Sequence, residues 1–141
     1  MATREVVVDS GSGLIQTIHT GNHVFRADEA AELGGQDEGP NPYELLLAAL
    51  GASTGMTLRT YADRKAWPLE RVTVRLEHWK VQATGANGKG GAVDEIKQVV
   101  VLEGTLSSVQ RERLLEVAGN SPIHRTLSKA VRICTLLGTE A

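Results

Sequence analysis

The sequence has little cysteine and few aromatic residues: Cys134 is its only cysteine, and 4% of its 141 residues are aromatic. One cysteine cannot form an intramolecular disulfide or supply a cysteine-rich metal site. Neither sign of charge predominates: 15 basic residues are nearly balanced by 17 acidic ones, and neither kind is collected into a stripe or tail. The composition therefore gives no electrostatic reason to expect a nucleic-acid partner.

Long apolar runs are absent as well. No stretch approaches the roughly 20 apolar residues that span a bilayer, and residues 1–9 lack the basic start and apolar stretch of a secretory signal. We therefore expect a cytoplasmic protein without a membrane partner. With 41% apolar residues the chain is long enough for one hydrophobic core, so a single domain is predicted over residues 1–141.

The best-signalled element is a helix that begins after Asn41. Asn41 suits the N-cap, Pro42 suits the first helical position, and Glu44 follows the cap by three residues, as in a capping box. The pattern predicts a helix to about Lys65. Residues 45–52 are apolar on every side, whereas a surface helix has a polar face, so we expect a second copy of the chain to cover part of it.

The rest of the chain reads as α+β. Strands are predicted over residues 6–8, 14–20 and 23–27, and a long hairpin over 69–83 and 96–102 around a turn at 84–91. Ser107 and Gln110 open a further helix, whose apolar face would contain Val109, Leu114, Val117 and Ala118. Ser121 and Pro122 open a short helix to about Ser128. Residues 131–137 are predicted to form a last strand, with Cys134 as a buried small hydrophobic residue.

Two blocks of the sequence carry a family resemblance. Residues 39–58, GPNPYELLLAALGASTGMTL, resemble the central-helix motif of the osmotically inducible protein C and organic hydroperoxide resistance (OsmC/Ohr) family, and residues 118–127, AGNSPIHRTL, are similar to its second motif. The resemblance covers nearly the whole chain. It implies an α+β, OsmC-like fold in which antiparallel sheets wrap long central helices in an intertwined homodimer. It also implies an active site at the subunit interface, used by peroxidase members to reduce organic hydroperoxides in the oxidative stress response.

The sequence departs from the family pattern where the chemistry takes place. Peroxidase members use two cysteines assisted by a glutamate and an arginine; the cysteine positions align with Ser53 and Ser121, the glutamate with Glu44, and Arg26 is the nearest candidate for the arginine. A thiolate attacks the peroxide, becomes a sulfenic acid, and is captured by a second thiol. Serine has no comparable nucleophile or oxidised state. The sequence as given should therefore lack the thiol-dependent peroxidase activity that the family implies.

Each of these residues also has a structural interpretation. Ser121 can cap the helix that follows it, and the same place would suit an anionic sulfur or a bound anion. Ser53 is a small residue that would allow two helices to approach closely, and Glu44 can serve the capping box alone.

Three functions stay open. The leading one is a non-peroxidatic, stress-related family member that binds a small apolar or anionic molecule at the dimer interface. The second is an active hydroperoxide reductase in whose sequence serines have replaced the two cysteines. The third is a serine hydrolase in which His124, three residues after Ser121, is the base and Glu44 or another carboxylate orients it, although the sequence has no Gly-x-Ser-x-Gly elbow. No cofactor is predicted, and no metal site, although His19 and His23 lie near each other across a turn and His78 is a further histidine.

Overall fold

A computed structural model describes residues 4–84 and 90–138. The fold is α+β with antiparallel sheets, and its long helices and strands follow the predicted order as far as the short helix after Ser121. The elements are β1 (Val7–Asp9), β2 (Gln16–Thr20), β3 (His23–Ala27), a short 3-10 helix (Ala31–Leu33), α1 (Pro42–Lys65), β4 (Arg71–Thr84), β5 (Gly90–Glu103), α2 (Ser108–Ala118) and α3 (Pro122–Leu127). The turn predicted at 84–91 falls mainly on residues 85–89, which lie outside the described residues.

The chain divides into two compact units, residues 1–48 and 49–141. The first contains a three-stranded antiparallel sheet in the order β1-β2-β3. Ile18, in the central strand, is opposite Val8 on one side and Phe25 on the other, and it is buried. Gly21 and Asn22 form the tight turn between β2 and β3. Gly21 has a φ of 55°, which glycine adopts without strain.

A buried carboxylate organises the loop that follows this sheet. Asp28 is 2% exposed; its Oδ1 accepts the N–H of Glu29 at 2.8 Å, and its Oδ2 accepts the N–H groups of Gln36 at 3.0 Å and Glu38 at 3.1 Å. Burial alone would raise the pKa of Asp28, but the three backbone donors outweigh it and hold the pKa below its usual value. The acidic loop is therefore ordered around one anion rather than around apolar side chains.

The second unit contains the hydrophobic core. Leu58 and Ala62 of α1 pack with Leu69 and with three residues of α2, namely Leu114, Val117 and Ala118. Partly buried side chains from the hairpin complete the cluster, among them Val72, Val100 and Leu102. Alternate residues of β4 and β5 face this core, as the period of two predicted, and the strands pair without interruption from Arg71 opposite Glu103 to Thr84 opposite Gly90.

The central helix buries one stripe rather than its whole circumference. Its buried residues are Leu50, Thr54, Leu58 and Ala62, each four positions from the next, so they follow one face. Other apolar residues of α1 stay open to solvent, and Met56 is 70% exposed. Within one chain, therefore, only one face of α1 is covered.

Three predictions about buried side chains and strands are wrong. Val109 is 74% exposed, because it lies in the first turn of α2 on the side away from Leu114 and Val117. Residues 131–137 form no strand, and Ile133 is 85% exposed. Cys134 is exposed rather than buried. An alternating apolar run becomes a strand only where a neighbouring strand accepts its backbone hydrogen bonds, and nothing in residues 4–84 and 90–138 does so.

None of the helices within the described part of the chain is both long enough and apolar enough to cross a membrane.

Candidate functional site

The start of α1 has the predicted capping box. The N–H of Glu44 donates to Asn41 Oδ1 at 2.8 Å, and the N–H of Asn41 donates to Glu44 Oε1 at 2.9 Å. Two N–H groups that the helix leaves without an internal partner are thereby satisfied. In the described structure Glu44 thus has a structural role, and its role in chemistry stays a prediction.

Ser53 and Ser121 converge on the first turn of α3. Ser121 is the N-cap, and its Oγ accepts the N–H of His124 at 3.3 Å. Ser53, from the middle of α1, accepts the N–H of Ile123 through its Oγ, also at 3.3 Å. Two hydroxyl oxygens 68 residues apart in sequence therefore bind consecutive backbone donors of one helix turn. Sequence reasoning chose these two residues by resemblance; the structure brings them together.

A buried hydrogen bond fixes the position of α1 along the hairpin, next to this turn. Thr54 is fully buried, and its hydroxyl donates to Gln98 Oε1 on β5 at 2.7 Å. A buried hydroxyl without a partner would cost about 1–3 kcal/mol, so this bond restrains how α1 can slide along the hairpin. The adjacent Ser53 is held in place with it. Sequence reasoning missed both partners, because nothing local links residues 44 positions apart.

An open cleft of about 350 Å³ in the second unit is lined by residues that neighbour the two serines in the sequence. Met56 and Thr57, one turn along α1 from Ser53, form one wall, and Asn120 and Pro122, on either side of Ser121, form another. Arg64 and Arg125 also line this space, which we call the arginine cleft; its remaining lining residues are Thr60, Tyr61 and Val117. Two guanidinium groups beside an apolar wall suit a small molecule with an anionic end.

The imidazole of His124 does not pair with Ser121. Its Nδ1 lies 3.3 Å from Ser128 Oγ, whereas Ser121 Oγ is bound by the backbone N–H of the same histidine. Ser121 is also 0% exposed. A hydrolase would need a nucleophile that is both accessible and bonded to its base, so the geometry does not favour Ser121 in that role.

Arg26 and Glu44 belong to the first unit, and each has its own contacts there. Arg26 Nη1 lies 3.8 Å from Glu38 Oε2, with both side chains about half exposed. This long, solvent-exposed ion pair contributes little to stability. The structure brings together the serine pair within the second unit; the participation of Arg26 and Glu44 in the same site stays a prediction.

The expected proximity of two histidines is wrong. The β2–β3 register places His19 opposite Val24 and His23 opposite Thr20, so the two imidazoles point to opposite faces of the hairpin. His19 instead lies 3.2 Å from Asp9, and His78 lies 2.8 Å from Asp94. Within residues 4–84 and 90–138 no group of three or more histidine, cysteine or acidic side chains could hold a metal ion.

Comparison with known proteins agrees with this architecture. The family model of the OsmC-like proteins matches residues 35–135, which is most of the chain and includes both serine positions. The chain therefore belongs to the OsmC-like family. No curated protein matches its sequence significantly.

Several solved structures share the fold at low sequence identity. An OsmC-like protein from Mycoplasma pneumoniae is 17% identical, with a TM-score of 0.72 over 90% of this chain and 88% of that one. An organic hydroperoxide resistance protein OsmC from Legionella pneumophila is 20% identical, with a TM-score of 0.64 over 90% of each chain. One from Elizabethkingia anophelis, with crystallant-derived thiocyanate bound, is 17% identical, with a TM-score of 0.59 over 89% of this chain and 88% of that chain.

Proposed function

We propose that this protein is a non-peroxidatic member of the OsmC-like family that binds a small apolar or anionic molecule beside Ser53 and Ser121. The observation that carries the proposal is the convergence of two hydroxyl oxygens, rather than two sulfurs, on the first turn of α3. In the peroxidase relatives that the sequence resembles, these two positions hold the attacking and resolving thiols.

The chemistry of the pair supports the proposal. Each Oγ accepts a backbone N–H, so each serine satisfies a donor of the helix end instead of acting on a substrate. A serine hydroxyl stays protonated near neutral pH and cannot cycle through a sulfenic acid. Cys134, the only thiol of the sequence, lies on the exposed segment after α3 and outside both motifs.

The arginine cleft supports a binding role. Arg64 and Arg125 supply positive charge, and Met56, Val117 and Pro122 supply apolar surface, next to the serine pair. A carboxylate with a short apolar tail satisfies both kinds of wall. The molecule in the cleft would be bound and released without bond changes at the serines.

We further propose that two copies of the chain assemble and enclose this site. Apolar side chains that one chain leaves open support this assembly: Met56 on α1 is 70% exposed, and Ile133 and Leu136 on the last segment are each 85% exposed. Surface of this kind is commonly covered by a partner. Sedimentation of the purified protein should give the mass of a dimer, and a monomer at micromolar concentration would contradict the assembly.

Peroxide turnover tests the absence of redox chemistry. Purified protein incubated with an alkyl hydroperoxide and excess dithiol should consume no more peroxide than the dithiol alone, because neither serine can be oxidised and reduced in turn. Rapid consumption that depends on the protein would overturn the proposal.

The same geometry gives weight to a second candidate, a hydroperoxide reductase whose two cysteines have been replaced. Ser53→Cys/Ser121→Cys would place two thiols at the same helix end, and vigorous turnover by this variant would show that the remaining site is competent. Ser53→Cys/Ser107→Cys is the matched control, because Ser107 is also a helix N-cap whose Oγ accepts a backbone N–H, at the start of α2. Inactivity of both variants would exclude this candidate.

Ligand binding tests the role of the cleft. Octanoate should bind, and Arg125→Gln should weaken binding by about fivefold or more, because a charge-assisted hydrogen bond is lost. Arg75→Gln is the control, since Arg75 is an exposed residue of β4, carries the same charge and lies outside the lining of the cleft. Calorimetric titration that finds equal affinity for the two variants would contradict an anion site in the arginine cleft.

A further inference from the structure

A smaller cleft, of about 200 Å³, lies between α1, β5 and α3 of the second unit. It touches the face of α3 that carries His124, Leu127 and Ser128, whereas the arginine cleft touches the face that carries Pro122 and Arg125. Positions 124 and 128 share one side of a helix, and positions 122 and 125 share another. We call this space the histidine cleft; its other lining residues are Leu50, Asp94, Ile96 and Gln98.

The hydrogen bonds of Ser128 determine which imidazole nitrogen of His124 carries the proton. Ser128 Oγ donates its single hydrogen to the backbone carbonyl of His124 at 2.8 Å. Toward His124 Nδ1, 3.3 Å away, the hydroxyl can therefore only accept. In the neutral imidazole the proton is then on Nδ1, and Nε2 keeps its lone pair. His124, which lines the cleft, therefore keeps an acceptor for a ligand.

The hydrogen bond from Thr54 determines the orientation of the Gln98 amide. The buried Thr54 hydroxyl donates to Gln98 Oε1 at 2.7 Å, which identifies the oxygen end and turns the NH₂ end away from Thr54. Among residues 4–84 and 90–138 no protein acceptor binds that NH₂ group, so Gln98, which lines the cleft, keeps a donor for a ligand. Gln98 and His124 therefore offer one donor and one acceptor from different elements.

The carboxylate of Asp94 is already neutralised. Lys80 Nζ and His78 Nε2 both lie 2.8 Å from Asp94 Oδ1, and the hydrogen bonds from Lys80 and then His78 lower the pKa of Asp94. Asp94 is thus already paired with Lys80 and His78 and does not need a cation from a ligand. Leu50, 4% exposed, lies with Ile96 and Leu127 on the apolar side.

We propose that the histidine cleft binds a small uncharged molecule whose polar end both donates and accepts a hydrogen bond and whose other end is a short apolar chain. A hydroxyl or a primary carboxamide meets this description, since it can donate to His124 Nε2 and accept from the Gln98 NH₂ group. The site lies within one chain and does not depend on the function proposed for the arginine cleft.

Charged heads fit less well. A carboxylate has no proton to give to His124 Nε2, and an ammonium group leaves the Gln98 NH₂ group without an acceptor, so each leaves a cleft group unpaired. The volume sets the size, because sites for drug-sized ligands occupy roughly 300–1,000 Å³. A cleft of about 200 Å³ therefore suits a molecule with a chain of a few carbon atoms.

A matched series of four-carbon probes tests the head group: 1-butanol, butanamide, butyrate and butylammonium, titrated into ¹⁵N-labelled protein and followed by NMR. Butanol and butanamide should shift the signals of Ile96, Gln98 and residues 124–128 with dissociation constants on the order of millimolar. Butyrate and butylammonium should bind at least about fivefold more weakly there. The separate titrations show whether the hydroxyl or the amide is preferred.

Two variants and one control test the mechanism. His124→Phe removes the acceptor, and Ser128→Ala frees Nδ1; each should weaken butanol or butanamide binding several-fold, and Ser128→Ala should change the ¹⁵N shifts of the imidazole of His124. Thr126→Val is the control, because the Thr126 hydroxyl also bonds the carbonyl four residues earlier, that of Pro122, but is outside the cleft lining. Absence of probe binding at these residues, preference for a charged probe, or equal weakening by Thr126→Val would overturn the proposal.

Discussion

The loop after β3 in the first unit and the core of the second unit are each stabilised by a different kind of interaction. In the first, a single buried carboxylate, Asp28, gathers three backbone donors of the loop after β3. In the second, six buried apolar residues from α1, α2 and the segment before β4 form the core. The stability of a loop that is ordered around a carboxylate depends on pH and on the two oxygens of that carboxylate. The stability of an apolar core depends on the volume and burial of its side chains. The contrast shows that burial alone does not identify what a residue contributes.

The largest effect is expected in the apolar core. Leu114→Ala should lower the free energy of unfolding by about 2–5 kcal/mol, because Leu114 is 0% exposed and its truncation leaves a cavity. The neighbouring Leu115, 64% exposed, provides the control: Leu115→Ala should change the value by less than about 0.5 kcal/mol. Denaturant titration gives both numbers. Similar losses for the two leucines would mean that α2 is rotated from the position described.

A local effect is expected in the anion-centred loop. Asp28→Asn should increase hydrogen exchange at the amides of Gln36 and Glu38 by on the order of tenfold. The substitution replaces one of the two acceptor oxygens with an NH₂ donor, and the remaining oxygen carries no charge and accepts more weakly. Asp37→Asn tests the same change in the same loop at an exposed carboxylate; asparagine tolerates the left-handed backbone there, where φ is 52°. Unchanged protection in Asp28→Asn would contradict the role of the anion.

The same carboxylate predicts how stability depends on pH. The pKa of Asp28 is lower in the folded chain than its usual value, so its contribution is fully present above the unfolded pKa, about 3.9. It is lost as the pH falls through the folded pKa. Thermal unfolding from pH 6 down to pH 2 should therefore show a steeper loss of stability for the parent chain than for Asp28→Asn. Parallel curves would assign the acid sensitivity to other groups.

The smallest effect is expected at a helix end. Ser107→Ala should cost about 1 kcal/mol, because the Ser107 hydroxyl accepts the N–H of Gln110 at 3.1 Å and completes the capping box of α2. Ser108→Ala is the neighbouring control, since Ser108 is the first residue inside α2 and caps nothing. Denaturant titration gives the free energy of unfolding of both variants. Equal losses would show that the Ser107 hydroxyl does not stabilise α2 as an N-cap.

Prediction from the sequence succeeded where the partners are three or four residues apart. Asn41 with Glu44, Ser107 with Gln110, and Ser121 before Pro122 all begin helices as predicted, because a capping side chain reaches only its own first turn. The strands of the hairpin could be predicted because side chains alternate between the two faces of a strand, which is also a local property. The candidate site was found only in part: resemblance identified Ser53 and Ser121, but not the hydrogen bonds that hold them.

Prediction failed where the outcome depends on distant residues. Cys134 and residues 131–137 have the composition of a buried strand, yet remain exposed, since composition does not provide a neighbouring strand. His124 was paired with Ser121 because the two are three positions apart. Its imidazole instead meets Ser128, which shares its side of α3.

The sequence by itself determined the family, the order of helices and strands as far as α3, and the presence of serine at positions 53 and 121, because these follow from residue identity and short-range hydrogen bonding. Only the tertiary structure decided that Ser53 and Ser121 bind neighbouring donors of one helix turn, that Asp28 centres a loop, and that Gln98 and His124 face a common cleft. Each of these joins groups far apart in the chain. Their meeting depends on how α1, the hairpin and α3 pack, and that packing is a property of the whole core.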